Sequence, residues 1–325
     1  MRCILNPSIS PPFNLAAEEW LLRNSPEHIF MLWRNAPAVI VGRHQHTDAE
    51  IDRDFVRKRG IAVIRRITGG GAVFHDLGNV NFSFVRLGHG TGGLDFARFT
   101  APVLEALRAM GVGCGFDGRN DLVFADGRKF SGNAQHIERG RVLHHGTLLF
   151  DSRLEDMAGA LRPDPSKFVG KAVRSVPARV GTLKEHLPHM DVEEFMRRLF
   201  AHMLRTLPGT RRDVSSEEEE AVTALARARY ENQEWNFGAS PAYGFTRRTR
   251  IPAGTFDVSL DVQRGIIRAA CIRGDFFALR PVEELEALLH GCPHEYNALA
   301  TRLEAAGPDG YIQRLDTEAF LSCLV

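Results

Sequence analysis

The chain has too few cysteines, too widely spaced, for a disulfide scaffold or a structural zinc site. Its five, Cys3, Cys114, Cys271, Cys292 and Cys323, are odd in number and contain no Cys-x-x-Cys pair. They read as reduced thiols, which predicts a cytoplasmic location. No apolar run approaches the length of a membrane-spanning helix. The N-terminal MRCILNPSISPPF also lacks the apolar centre of a signal peptide. Strong charge of one sign is missing too. The formal net charge is +1 over 325 residues, so no whole-molecule field draws the chain to nucleic acid or to a membrane surface. Internal repeats and low-complexity tracts are absent. What remains, 44% hydrophobic and 25% charged residues, suits a globular protein with a real core. The length suits a large domain followed by a small one.

The most informative stretch is RRITGGGAVFHDLGNVNFSF, residues 65–84. Gly69, Gly70 and Gly71 follow Arg65 and Arg66 and precede a short apolar strand. Successive glycines can turn several backbone N–H groups toward one point, and such a concavity binds anions. The neighbouring arginines add charge-assisted donors for carboxylate or phosphate. A plain hairpin loop that binds nothing fits these residues equally well.

Upstream, Phe13, Ala17, Trp20 and Leu21 mark one face of a helix over 14–24. The apolar runs 29–33 and 38–41 read as two strands joined by a tight turn at Asn35, Ala36 and Pro37. His44 and His46 form an H-x-H pair with no third ligand at useful spacing. Residues 48–59 read as a helix stopped at Gly60, and 61–66 as a strand. Phe82 and Phe84 alternate with Asn81 and Ser83, the pattern of a half-buried strand.

Residues 88–93 read as a flexible connection and 94–110 as a helix. Strands at 122–124, 129–137 and 142–150 are punctuated by Asp126-Gly127 and Arg139-Gly140. Residues 162–179 form a long basic loop with Lys167, Lys171, Arg174 and Arg179, either a lid or a solvated linker. Asp191 with Glu194, and Ser215 with Glu218, signal the starts of helices over 192–206 and 216–231. The acidic run 217–220 reads as a solvated helix start. Gly238, Pro241 and Gly244 mark a domain boundary. Beyond it, two strands, a helix over 281–290 and two shorter helices predict a small α+β domain.

Four blocks, 65–84, GRNDLVFADGRKFSGNAQ (118–135), HHGTLLFD (144–151) and SVPARV (175–180), resemble the lipoate–protein ligases of the biotin/lipoate ligase superfamily. The resemblance continues through EWNFG (234–238) to the C-terminus. It implies an α+β fold. A large mixed or antiparallel sheet flanked by helices forms a catalytic domain over 1–240, and a small α+β accessory domain covers 245–325. It also implies a reaction in two steps, in which ATP activates lipoate or octanoate as an acyl-adenylate and a lysine of a lipoyl-acceptor domain then takes the acyl group. The acceptors implied are E2 subunits of 2-oxoacid dehydrogenases or the glycine cleavage H protein. ATP with Mg²⁺ and (R)-lipoate are the implied cofactor and substrate, with no nucleic acid or membrane partner and a monomeric protein.

The resemblance also assigns residues. Lys129 is the expected catalytic residue, its ammonium following charge between the acyl carbonyl and the adenylate phosphate. Arg66, Gly71, Ala72, Val73, Phe74, Asn79, Asn120, Asp121, Lys129 and Arg179 are expected at ATP or adenylate, with Asp121 the possible metal contact. Arg66, Gly70, Gly71, Lys129, Gly132, Ala134, His145 and Gly146 are expected at lipoate. Phe74 is expected to wall the slot, and His144 to be a buried, satisfied histidine. Three rivals remain: an octanoyltransferase of the same fold using Cys114 as thioester nucleophile, a biotin ligase, and a non-catalytic lipoate binder. The biotin ligase is disfavoured by RRITGGG standing where a GRGR-type loop belongs.

Overall fold

A computed structural model gives the fold for residues 1–43, 45, 47–88, 94–118, 120–161, 180–238, 243–276 and 278–325. The chain divides into two compact units, residues 1–43 with 50–232 and residues 44–49 with 233–325. Strands in the first unit are β1 (Arg2–Leu5), β2 (Ile29–Arg34), β3 (Ala38–Val41), β4 (Ala62–Arg65), β5 (Val73–His75) and β6 (Asn79–Arg86). They continue with β7 (Cys114–Asp117), β8 (Asp121–Phe124), β9 (Lys129–Glu138), β10 (Arg141–Leu149) and β11 (Thr210–Arg211). Helices of this unit are α1 (Pro11–Asn24), α3 (Arg53–Lys58), α4 (Phe96–Ala109), α5 (Leu154–Ala160), α6 (Val192–Thr206) and α7 (Ser216–Leu225), while α2 (Thr47–Glu50) falls mostly in the second unit.

Eight strands form one mixed sheet in the order β11-β1-β2-β6-β10-β9-β8-β7. β1 runs parallel to β2 and β11, and the other pairs are antiparallel. A second sheet, β4-β3-β5, has three strands. β2 and β3 exist where expected but do not form a hairpin, because each joins a different sheet. The buried side chain of Asn35 sits in the connection, held by Asn14 and His75.

β6 also departs from expectation, since both of its faces are buried. Phe82 and Phe84 pack with Phe30, Phe99, Phe195 and Phe200 in the main core, to which α4 and α6 contribute. Asn81 and Ser83, on the opposite face, are buried too, Ser83 beneath Glu18 of α1 and Asn81 beside Asn79. Each fully buried phenylalanine contributes about 1.5–3 kcal/mol. Burial of α1 likewise extends around most of its circumference and takes in Asn14, Glu18 and Glu19, so the single apolar stripe underestimates it. The helix predicted over 48–59 is broken. Ile51 leaves it to bridge Leu161, and Asp52 caps α3 by accepting from Phe55 N.

The second unit carries an antiparallel sheet of β12 (Tyr243–Ile251), β13 (Gly254–Gln263) and β14 (Ile266–Gly274). Three helices, α8 (Val282–Leu289), α9 (Tyr296–Ala306) and α10 (Thr317–Leu324), share its core. β13 shows why: Phe256, Val258, Leu260 and Val262 alternate with polar residues and are all buried. β12 is an unpredicted strand, because its run of arginines hides the alternation. Among the described residues no helix is long and apolar enough to cross a membrane.

Candidate functional site

A cavity of about 130 Å³ opens in the first unit between the large and the small sheet. The small sheet and its glycine loop supply Ile40, Arg66, Gly70, Gly71, Ala72, Val73 and His75. The large sheet supplies Trp33, Asn81, Lys129, Gly132, Asn133, Ala134, His145, Gly146 and Thr147, and Leu15 enters from α1.

The glycine loop is organised by Arg66. Its buried guanidinium donates from Nη2 to Gly69 O (2.7 Å) and Gly71 O (2.8 Å), from Nη1 to Ile40 O (2.9 Å) and from Nε to Thr68 Oγ1 (2.8 Å). Gly70 turns between these carbonyls with φ of 91°, where a Cβ would be strained. Burial lowers the Arg66 pKa to about 10, against the opposing charge of Glu18. Arg66 therefore shapes the loop and charges the cavity wall. Arg65 is fully buried and donates to Gly42 O and Arg43 O.

Lys129 opens β9, with its side chain 42% exposed at the cavity mouth. Its ammonium lies 2.8 Å from Asp121 Oδ1, itself 38% exposed. Gly132 makes room for it, since a Cβ there would stand 3.1 Å from Lys129 Nζ. The backbone carbonyl of Lys129 accepts from Gly181 N (3.0 Å), and Val180 bridges Lys129 in parallel.

Deeper in, His145 Nδ1 meets the buried carboxylate of Glu18 at 2.9 and 3.0 Å. A carboxylate only accepts, so Nδ1 carries the hydrogen. Thr68 Oγ1 lies 2.8 Å from His145 Nε2 and accepts from Arg66 Nε. Ser83 Oγ donates to Glu18 Oε1 (2.5 Å) and accepts from Trp33 Nε1 (2.8 Å). One network thus runs from the glycine loop through His145 to α1.

Eleven of the expected site residues line this one cavity: Arg66, Gly70, Gly71, Ala72, Val73, Asn120, Lys129, Gly132, Ala134, His145 and Gly146. Asp121 reaches it through Lys129. Phe74 does not line it. Strand alternation sends its side chain to the opposite face of β5 from Val73 and His75. Asn79 is fully buried behind the cavity, donating to Asn81 Oδ1 (2.9 Å). Asn120 is tied into the hairpin, donating to Asn133 O (2.7 Å). Arg179, the basic loop 162–179, His44 and His46 lie outside the described residues.

His144 is buried against Phe99, ring centroids 5.0 Å apart, with Nδ1 held by Gln135. Among the described residues its Nε2 has no partner, so the expected satisfaction is met at one nitrogen only. Cys114 sits half-buried on the edge strand β7 and is absent from the cavity wall. Burial raises its pKa, against the lowering effect of Arg108, which disfavours the thiolate a nucleophile needs. Among the described residues no cluster of three or more His, Cys, Asp or Glu could hold a metal.

The sequence pattern missed Glu18, Trp33, Thr68 and His75. Glu18 and Glu19 had a usable signal, two adjacent acids inside an otherwise apolar helix. Trp33, Thr68 and His75 come together only through the pairing of distant strands.

Residues 10–204 match the lipoyl protein ligase A/B catalytic domain family, and residues 240–324 match the bacterial lipoate protein ligase C-terminus family. The lipoate-protein ligase LplJ of Bacillus subtilis is 38% identical over 333 aligned positions, covering 100% of both chains. A bi-partite lipoate protein ligase from Thermoplasma acidophilum, solved in a study of that ligase and its E2 lipoyl domain, has 28% identity and a TM-score of 0.61. That match covers 73% of this chain and 96% of the other. A lipoate-protein ligase A bound with ATP gives 26% identity and a TM-score of 0.62 over 73% of this chain and 98% of its own. With both of its segments matched and a full-length relative at this identity, the chain belongs to the lipoate–protein ligase family.

Proposed function

We propose that the protein activates lipoate with ATP and transfers the lipoyl group to a lysine of an acceptor domain. One observation carries the reading: residues from three separate sequence blocks line a single cavity with the Lys129 ammonium at its mouth. In the first step an oxygen of the lipoate carboxylate bonds to the α-phosphorus of ATP. The bond to the β-phosphate breaks and pyrophosphate leaves. In the second, an acceptor lysine amine attacks the acyl carbon, AMP departs with the bonding electrons, and the nitrogen loses a proton to give an amide.

Both small reactants are anions, so the site must meet negative charge where it develops. Lys129 suits this task, because a flexible four-carbon stem lets one ammonium exchange Asp121 for substrate oxygens. Arg66 holds the loop and adds a fixed positive charge. Glu18 fixes the orientation of His145 in the wall. Mg²⁺ is the ion that neutralises ATP phosphates in such chemistry. Asp121 would hold it, with the remaining positions filled by phosphate and water, the arrangement Mg²⁺ favours.

As acceptors we propose lipoyl domains of E2 subunits or the glycine cleavage H protein, and we place the enzyme in the cytoplasm as a monomer. The octanoyltransferase alternative is weakened by the position and raised pKa of Cys114. Incubation with ATP, Mg²⁺, lipoate and an apo-lipoyl domain, followed by intact mass, tests the proposal. A mass increase on the acceptor that needs both ATP and lipoate is expected. Its absence, together with no lipoate-dependent exchange between pyrophosphate and ATP, would overturn the reading.

A further inference from the structure

Lys129 and Gly132 stand three residues apart on β9, and a regular strand turns residues an odd number apart to opposite faces. Here they share a face. A Cβ on Gly132 would meet Lys129 Nζ at 3.1 Å and Cε at 3.4 Å. The same ammonium reaches Asp121, which is the ladder partner of Gly132. Phe130 breaks the alternation in the other direction. Two residues before Gly132, it should share the cavity face with Gly132 and Ala134. It is instead fully buried in the main core, its ring centroid 4.5 Å from that of Phe124.

The ladder between β8 and β9 accounts for both departures. Leu122 pairs with Ser131 and Val123 with Lys129, so β9 carries one residue more than β8 and Phe130 is left over. This is a β-bulge, a device that re-aims a side chain beside a site. Phe130 and Ser131 both turn inward. Ser131 is fully buried, and Asn133 Nδ2 donates to its hydroxyl (3.2 Å). Lys129 is thereby delivered to the face of Gly132. The bulge is also braced from outside the hairpin. Lys129 O accepts from Gly181 N (3.0 Å). Gly181 leaves room for that approach, since a Cβ there would stand 2.9 Å from both the Phe124 ring and Arg128 Nη1. Glu185 closes the brace, accepting from Thr182 N (2.9 Å) and from Arg128 Nη1 (2.7 Å).

We propose that Phe130 is a positioning residue for the adenylation step. As the extra residue of the bulge, anchored in the main core, it sets the face to which Lys129 is presented. The inference rests on the role given to Lys129 in the proposed function. With one more residue in β8 the ladder would run regularly, Phe130 opposite the added residue and Lys129 opposite Val123. Strand alternation would then send the Lys129 side chain into the core and the Phe130 ring into the cavity. The developing anion would meet a phenyl ring where it needs a cation.

One alanine inserted between Leu122 and Val123 restores the count and tests the proposal. Lipoate-dependent exchange of pyrophosphate into ATP is expected to fall about 10²–10³-fold, the loss of one positioned charged donor. Swapping the two side chains, Lys129→Phe with Phe130→Lys, should cost as much in the natural β8. In the lengthened β8 the same swap returns the ammonium to the cavity, and activity should recover at least about tenfold over either parent. A merely structural role for Phe130 makes the two defects add instead. Urea melts establish that each variant is folded. Nuclear Overhauser contacts in wild type supply a measurement free of any folding defect: the backbone of Val123 should face that of Lys129, not that of Phe130. Full activity in the insertion variant, or no recovery in the folded combination, would overturn the positioning role alone. A ladder joining Val123 to Phe130 would overturn it whatever the variants do. Full activity in Lys129→Ala would overturn the role of Lys129 and this inference with it.

Discussion

Replacing Lys129 with alanine separates a structural role from a chemical one, because the structure assigns them very different magnitudes. The Lys129–Asp121 pair is 2.8 Å long, but its side chains are 42% and 38% exposed. Water and salt screen such a pair, and its loss costs about 0–1 kcal/mol of stability. Asp121 is left partly solvated, so no buried charge is orphaned. β9 keeps its pairing to β10, which does not depend on this side chain. The urea midpoint of Lys129→Ala should therefore stay near that of wild type. Adenylate formation should not. Removing one positioned charged donor from a developing anion costs about 10²–10³ in rate, or roughly 2.7–4 kcal/mol. Lipoate-dependent exchange of pyrophosphate into ATP reads this step directly. Exchange within about threefold of wild type, well short of that loss, would refute the role given to Lys129. Unfolding costs above about 3 kcal/mol would refute the claim that the ion pair is screened.

Stability should depend on two histidines. His75 and His144 are held neutral in the fold, mainly by burial and then by the charge of His145, so the unfolded chain binds their protons first. Their contribution is fully present above the unfolded value of about 6.5. As pH falls below it, each withdraws up to about 1.4 kcal/mol per pH unit. Urea titrations between about pH 7.5 and 5 check this, and a flat profile would contradict it. Glu18→Ala leaves the part-buried His145 Nδ1 and the buried Ser83 Oγ without their acceptor. A loss of about 3 kcal/mol is expected from thermal or urea melts, and a neutral change would show the network to be dispensable. Gly146→Ala would place a methyl 2.1 Å from Asn133 Oδ1 and 2.5 Å from the Phe82 ring. Overpacking of about 1–3 kcal/mol and weaker lipoate binding should appear together in melts and calorimetry. Cys114→Ser should keep full ATP-dependent ligation by intact mass, and its loss would revive the transferase.

Local chemistry was legible in the sequence, and long-range pairing was not. Gly127, Gly140 and Gly265 turn where the strand pattern breaks, because positive φ is a property of a single residue. Ser215 and Glu218 satisfy each other reciprocally at the start of α7, because a capping box spans only four residues. The failures involve distant partners. Ser83 looks like part of a solvent face until Glu18 of α1 covers it. β2 and β3 look like a hairpin until each finds its own sheet. In the site, the glycine loop and the Lys129 strand could be matched by local pattern. Trp33 and Glu18 join the network only through contacts 50 and 127 positions apart in sequence. The side chain of Phe74 faces away from the cavity by one step of strand alternation, which the block pattern does not display.

The clamp that Arg66 places on the glycine loop has a thermodynamic consequence. Fixing a backbone residue costs about 1–2 kcal/mol of conformational entropy, and glycine loses the most. Here Gly69 and Gly71 are tethered to one buried guanidinium, so that ordering occurs during folding and not when a ligand arrives. Binding at this wall should show little of the entropic penalty expected of a glycine-rich loop, and removal of the clamp should appear first in the entropy of binding.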